Sequence, residues 1–346
     1  MKIAHICHFR TPSPQPPTVH ALLSELAHLG HEVIAFSRSM GPKLKSPYEV
    51  VQVEDRFPDA IRMRQIPKSL HRSVLESQPD VIWMQSLNYP RALAHLARDH
   101  GRLFAQHHGE RPLRGMGRWI QKLAFNRAAG FLFCGAQNGA EWMEAHLVTR
   151  SQIHEVHEGS TLFQLVAPEQ KEHKTIAWIG HLNPNKDPLF VLNGLEPFLT
   201  EDPRLRLVMA FGQAPLMPKV QEWISHHPNI AKQIDLLGSI PPDHVEQFLN
   251  RARYFVSASH RESTGYALCE AIACGATPIV TDIPSHRYLV QECGFLYKPG
   301  DIDMFRDALS CALNQPIQPP LLRQHFEAHL SYPAIAKRLS DIFANA

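Results

Sequence analysis

The sequence predicts an α/β protein built as two doubly wound parallel sheets in tandem, and three observations carry that expectation. A chain of 346 residues is longer than one typical hydrophobic core sustains, so its length favours two domains. Short β-branched runs alternate with stretches of helical periodicity from one end to the other, the pattern of a parallel sheet covered by helices on both faces. That alternation is interrupted by the polar segment Ala167-Pro168-Glu169-Gln170-Lys171-Glu172-His173-Lys174 and then begins afresh.

In the first series, residues 2–7 read as a strand, 18–29 as a helix with apolar residues at helical spacing, and 31–36 as the next strand. Strands follow near 80–84, 102–106 and 130–134, separated by helices near 91–98, 119–128 and 140–146. The polar segment reads as a linker, which sets the expected domains at 1–165 and 166–330. The second series opens with a strand at 175–179 and continues with strands at 205–210, 234–237, 254–257 and 277–281. No solenoid period is present, and the proline-rich stretch 11–17 is a single loop. Open α/β sheets bind ligands beyond the carboxyl ends of their strands, so the two domains are expected to face each other across a ligand cleft.

Composition narrows the function classes. Apolar residues make up 44% and charged residues 20%, as in ordinary soluble domains. The net charge of +2 hides an asymmetry: residues 1–165 carry 19 Lys and Arg against 14 Asp and Glu, and 166–346 carry 16 against 19. A mildly basic first half suits an anionic partner or a membrane face and falls short of a nucleic-acid binder. The six cysteines form no C-x-x-C pair or zinc spacing and read as small buried residues of a reducing compartment. Histidine is frequent at 22, yet no H-E-x-x-H motif or His/Cys cluster accompanies it, so no metal and no cofactor is expected. The first residues are too short and too soon interrupted for a signal peptide, and no apolar run approaches the roughly 20 residues of a membrane span. The expected location is the cytoplasm.

The chemistry concentrates in His260-Arg261-Glu262-Ser263-Thr264-Gly265-Tyr266-Ala267-Leu268-Cys269-Glu270-Ala271-Ile272-Ala273-Cys274-Gly275-Ala276-Thr277-Pro278. It follows one strand and leads into the next, with a helix expected over 264–274 and stopped by Gly275. Glu262 then lies on the loop before the helix and Glu270 two turns into it. Eight helical steps would cover roughly 12 Å, about the span from a sugar across a diphosphate to a ribose. The helix start between them favours phosphate oxygens, and Gly265 lets the backbone approach closely. Carboxylates accept strong hydrogen bonds from hydroxyl-rich ligands.

Glu262, seven intervening residues, Glu270, Ala271 and the run from Ala273 to Pro278 resemble the family-4 glycosyltransferases of the GT-B fold, which has two Rossmann-like domains facing each other across a cleft. Two glutamates alone would equally suit an ordinary surface helix; the run around them carries the resemblance. It implies retaining transfer of a sugar from a nucleotide-sugar donor, with Glu262 binding hydroxyls of the donor sugar and Glu270 binding the ribose. Ile176-Ala177-Trp178-Ile179-Gly180-His181-Leu182-Asn183-Pro184-Asn185-Lys186 resembles the segment whose arginine and lysine grip the donor diphosphate. Lys186 matches the lysine, whereas His181 stands in place of the arginine. A histidine donates a hydrogen bond but carries its charge only when protonated. Gly265 is implied at the diphosphate as well. Gly238, Ser239 and Ile240 resemble the segment that meets the nucleobase, though they also read as plain strand-end turn chemistry.

In the first domain, Gln106-His107-His108-Gly109-Glu110 ends a strand. His108, followed by glycine, resembles the family's catalytic-site histidine close to the donor sugar. His107 is expected to point the other way, since strand neighbours alternate, and Glu110 is an unassigned carboxylate nearby. Glu155-Val156-His157-Glu158-Gly159-Ser160 reads as the interdomain turn, with Glu158 where the family has asparagine. Residues 331–346 resemble the family's terminal helix, which returns to the first domain; a plain closing helix of the second domain is the alternative. The family's paired glycines after the first strand are replaced here by Thr11-Pro12-Ser13-Pro14-Gln15-Pro16-Pro17-Thr18. Prolines lack N–H donors, so this loop cannot cradle an anion in the same way. The basic, amphipathic segment 111–127 suits docking to anionic lipid, but the commoner reading buries Trp119, Ile120, Leu123 and Phe125 in their own domain. A nucleotide-sugar epimerase and a non-catalytic nucleotide-sugar binding protein remain open on the same scaffold, and the acceptor is unassigned, with a glycan or lipid-linked glycan the family's habit.

Overall fold

The computed structural model describes residues 1–8, 13, 16–55, 57, 65–167, 169 and 171–345. Most of the proline-rich segment, namely Thr11, Pro12, Pro14 and Gln15, lies outside the described residues, as do Pro168 and Gln170 of the polar segment. The chain divides into two compact units, Met1–Gly159 with Tyr332–Ala346, and Ser160–Ser331.

In unit 1 the chain runs β1 (Lys2–Cys7), α1 (Pro17–His28), β2 (Glu32–Ser37), β3 (Glu49–Gln52), α2 (Lys68–Glu76), β4 (Val81–Gln85), α3 (Pro90–Asp99), β5 (Leu103–Gln106), α4 (Met116–Phe125), β6 (Gly130–Phe133), α5 (Ala140–Glu144) and β7 (Ile153–Glu155). Among the described residues the strands form one parallel sheet in the order β3-β2-β1-β4-β5-β6-β7. Alternation along each strand feeds two apolar layers. Ala4, Ile6, Ile82 and Met84 enter one core, and Ile3, Val81 and Trp83 enter the other.

Unit 2 repeats the plan with β8 (Glu172–Gly180), α6 (Pro188–Glu201), β9 (Arg206–Phe211), α7 (Met217–His226), β10 (Ile234–Gly238), α8 (Pro242–Arg251), β11 (Ala252–Ser257), α9 (Tyr266–Ala273), β12 (Thr277–Thr281), α10 (Pro284–Val290), β13 (Phe295–Tyr297), α11 (Ile302–Asn314) and α12 (Pro319–His329). Its parallel sheet has the order β10-β9-β8-β11-β12-β13. Both sheets grow outward from a first strand that pairs on both sides, so the order reverses at β1/β4 and at β8/β11. Those are the crevices where doubly wound sheets bind ligands.

The last helix, α13 (Tyr332–Ala344), belongs to unit 1. Its apolar face of Tyr332, Ile335, Leu339, Ile342 and Phe343 completes the second core of that unit. Phe343 packs 5.0 Å from Phe104 and 6.2 Å from Trp83, ring centre to ring centre, and Ser340 Oγ bonds His31 Nε2 at 2.7 Å.

Three expectations need correction. The segment expected as linker contributes Glu172, His173 and Lys174 to β8, whose polar start lies at the rim of the sheet, and the division between units falls earlier, after Gly159. The cysteines are not uniformly buried: Cys134, Cys269 and Cys274 are, Cys7 and Cys293 are half-buried, and Cys311 is exposed on α11. Helix α9 begins at Tyr266, because Gly265 adopts a left-handed φ of +76° that no helical residue shares. The helical rise therefore covers only the second half of the Glu262–Glu270 interval. Its end is as expected: Gly275, at φ +73°, donates to Ile272 O while Ala276 N reaches back to Ala271 O.

Candidate functional site

The chemistry of unit 2 gathers at its β8/β11 crevice. The loop leaving β8 carries His181 and Lys186, and the loop leaving β11 carries Glu262. The two loops are sewn together by His260 N to Asn185 O at 2.8 Å and by Asn185 Nδ2 to Arg261 O at 3.0 Å. Lys186 Nζ forms an ion pair with the Glu262 carboxylate, whose side chains are only 21% and 15% exposed. The family resemblance gives these two residues separate ligands; the structure couples them, and a donor phosphate and a sugar hydroxyl would each compete with that bond.

A cavity of about 350 Å³ opens beside the pair, with His181, Lys186, Gly238, Ser239, Ile240 and Ala267 in its wall. Two segments that the sequence separates by some fifty residues, the expected diphosphate and nucleobase sides, thus share one depression. His181 is exposed and is fixed by Gln213 N, which donates to Nδ1 at 3.1 Å, so Nε2 is the nitrogen left to donate. Gly265 sits at the start of α9, where Leu268 N and Cys269 N make the first helical bonds to its carbonyl. The first amides of a helix form its electropositive end.

Glu270 lies one turn beyond Ala267 and therefore on the same side of α9. It is half-buried, and among the described residues no donor reaches its carboxylate. Burial without compensation pushes its pKa up to about 7. Glu262 is spared that isolation by Lys186.

In unit 1, His108 follows β5 and is 35% exposed. Its Nε2 donates to Gln85 Oε1 at 2.6 Å, and its Nδ1 is ion-paired with Glu158. Gln85 Nε2 in turn donates to His5 Nε2 at 2.9 Å. Burial alone would depress the pKa of His108, but the hydrogen bond and charge of Glu158, with Glu110, outweigh it and raise the value. Glu110 fastens the loop by accepting from His108 N at 2.6 Å and from Leu87 N at 3.1 Å. His107 turns inward as expected, 4.8 Å from the Phe133 ring, and burial lowers its pKa. Gln85, His5 and the pairing of Glu158 escape the sequence reading. The available signal was a polar residue on each of two otherwise apolar central strands.

Helix α4 departs from the commoner expectation. Phe125 is buried and Ile120 half-buried, but Met116, Trp119 and Leu123 are 76%, 63% and 51% exposed. Gln121, Ala124 and Phe125 are the buried residues of the helix. Among the described residues no group of three or more His, Cys, Asp or Glu side chains could hold a metal ion, and no helix is long and apolar enough to cross a membrane.

Comparison with known proteins identifies the family and the fold. Residues 173–315 match the family described as Glycosyl transferases group 1, and residues 17–160 match Glycosyltransferase Family 4. A GDP-mannose:cellobiosyl-diphosphopolyprenol alpha-mannosyltransferase of Xanthomonas oryzae pv. oryzae (strain PXO99A) is 27% identical over 121 residues, 35% of this chain and 32% of that protein. The match thus spans about a third of that relative's length. Sucrose-phosphate synthase from Thermosynechococcus elongatus superposes with a TM-score of 0.72 at 17% identity, covering 99% of this chain and 98% of that one. The Anabaena protein HepE, solved in complex with UDP, superposes with a TM-score of 0.67 at 13% identity and full coverage of both chains, 100% each. With both halves matched and both sheets in the doubly wound order, the chain belongs to the family-4, group 1 glycosyltransferases and has the GT-B fold.

Proposed function

We propose that the chain is a retaining, metal-independent glycosyltransferase that moves a sugar from a nucleotide-sugar donor to a lipid-linked glycan at the inner face of a membrane. The observation that carries the donor half is the 350 Å³ cavity, which joins His181 and Lys186 to Gly238, Ser239 and Ile240. A nucleoside diphosphate would place its base against the last three and its phosphates against Lys186, His181 Nε2 and the start of α9 at Gly265. Glu270 would accept hydrogen bonds from the ribose, which compensate its burial, and Glu262 would accept from the sugar. His108 is assigned to the transferred sugar. As the glycosidic bond lengthens, charge develops on the departing diphosphate and on the anomeric carbon. Fixed cations and amides stabilise the first without reorganising. No metal is required in this scheme, because Lys186 and the helix start supply the positive potential.

The acceptor half rests on α4. Met116, Trp119 and Leu123 form an exposed apolar stripe at helical spacing, next to a cavity of about 190 Å³ walled in part by Arg91, Arg114 and Ile120. Apolar side chains with an indole, bordered by arginines, match the interface of an anionic bilayer. A relative whose named acceptor is a diphosphopolyprenol accords with that surface. The decisive experiment incubates the protein with a panel of nucleotide sugars, with and without lipid extracts. Nucleotide release that depends on acceptor is the expected result. Conversion of the sugar without acceptor would indicate an epimerase, and binding without turnover would leave a non-catalytic receptor.

A further inference from the structure

His108 has no ring nitrogen to spare. The Gln85 carboxamide oxygen takes the N–H at Nε2, and the Glu158 carboxylate lies against Nδ1 as an ion pair, a contact that favours a protonated nitrogen there. On its far side the Gln85 amide nitrogen donates to His5 Nε2. His5 is 2% exposed, and burial, aided by the nearby His108, lowers its pKa to about 3. It therefore stays neutral, and in the tautomer protonated at Nδ1 its Nε2 accepts from the Gln85 amide. With His5 in that tautomer and both nitrogens of His108 protonated, an amide flip would lose both bonds.

Among the described residues, the titratable groups and the amide that bear on His108 come from four segments. His5 comes from β1, Gln85 from β4, His107 and Glu110 from the segment after β5, and Glu158 from the segment after β7. Two carboxylates, one of them paired directly to the ring, stand against neutral or burial-depressed histidines. Glu158 is only 7% exposed, so its own charge is sheltered and gains a partner in the imidazolium.

We propose that Glu158 and Gln85 are positioning residues that hold both nitrogens of His108 protonated, so that His108 serves sugar transfer as a fixed cation and never as a proton acceptor. The inference rests on the assignment of His108 to the transferred sugar, and it deepens that assignment by fixing the protonation state in which the residue works.

A base and a fixed cation predict opposite pH profiles. With His108 as a base, kcat/KM rises as pH climbs through its titration; with His108 as a cation, kcat/KM falls. We expect the fall. Glu158→Gln should shift the falling limb to lower pH by about one unit or more, and Glu158→Asp should restore part of the shift. Gln85→Leu should lower kcat while leaving KM for the donor within about threefold, because it misorients a ring rather than removing a donor contact. Nitrogen-15 NMR of the full-length chain, with the His108 signal assigned by His108→Asn, reads the ring directly and needs no turnover. Two protonated nitrogens near pH 7 are expected. A neutral ring there overturns the proposal whatever the kinetics show. A cationic ring whose loss in Glu158→Gln leaves the pH profile unmoved overturns its role in transfer. Absence of any transfer, with the NMR as expected, would instead reject the reading of function.

Discussion

Glu270→Gln separates what the Glu270 carboxylate costs the fold from what it gives the ligand. The half-buried carboxylate has its pKa raised from the ordinary 4.5 to about 7 by burial alone. A raised folded-state pKa means that the native chain holds more protons than the unfolded chain between those values. The associated stability is fully present below pH 4.5 and is lost as pH rises through about 7. An interval of that width corresponds to at most about 3–4 kcal/mol, and partial access of water to the side chain reduces it to about 1–2 kcal/mol. Glutamine matches the shape of the protonated acid and never ionises. The variant should therefore equal wild type near pH 5 and exceed it near pH 8.5, with a thermal midpoint for unit 2 higher by about 2–8 °C. Hydrogen exchange at α9 amides assigns the gain to that unit. Nucleoside diphosphate affinity should move the other way, falling by about 1.5–3 kcal/mol as the charge-assisted ribose bonds are lost. Equal stability differences at both pH values would refute the reasoning about burial. Unchanged affinity would remove Glu270 from the ribose.

Three other perturbations follow from the same geometry. A thermal-stability cycle over Lys186→Met, Glu262→Gln and the double variant should show a coupling of about 1 kcal/mol; additivity would mean that the ion pair does not persist in solution. His181→Ala should weaken nucleoside diphosphate binding by roughly two- to tenfold, the loss of one neutral hydrogen bond, whereas Lys186→Met should cost more. Titration calorimetry with UDP ranks them, and the reverse order would move the diphosphate away from Lys186. Trp119→Ser with Leu123→Ser should abolish co-sedimentation with anionic vesicles while leaving the melting temperature within about 2 °C, since both side chains face solvent. Unaltered sedimentation would return α4 to an ordinary surface helix.

The central strands were legible because their residues are apolar almost throughout. Ile3, Ala4, Ile6 and Val81, Ile82, Trp83, Met84 are apolar on both faces, as a strand covered on both sides must be. The edge strands β3, β7 and β13 were not legible, for three or four residues with mixed burial carry no period. The donor-side residues were found because most lie close together in sequence, on one loop–helix unit or one strand–loop unit. The arrangement around His108 was hidden for the opposite reason: His5, Gln85 and Glu158 come from three segments that only the sheet order brings together. The exposure of Trp119 was misread because amphipathicity reports that a helix has two faces and not which of them meets its own domain.

The placement of α13 also has a consequence for how the molecule is born. Unit 1 is written in the gene as two pieces with the whole of Ser160–Ser331 between them. While the ribosome translates that insertion, at roughly 5–20 residues per second, Trp83, Phe104 and the flank of α1 wait on the order of ten seconds or more for Phe343 and its neighbours. Unit 2, contiguous, can finish first, which reverses the usual amino-to-carboxyl order of domain maturation. A nascent chain stalled before Tyr332 would present an open apolar seam, a natural binding place for a chaperone, and a truncation at Ser331 would carry that seam permanently.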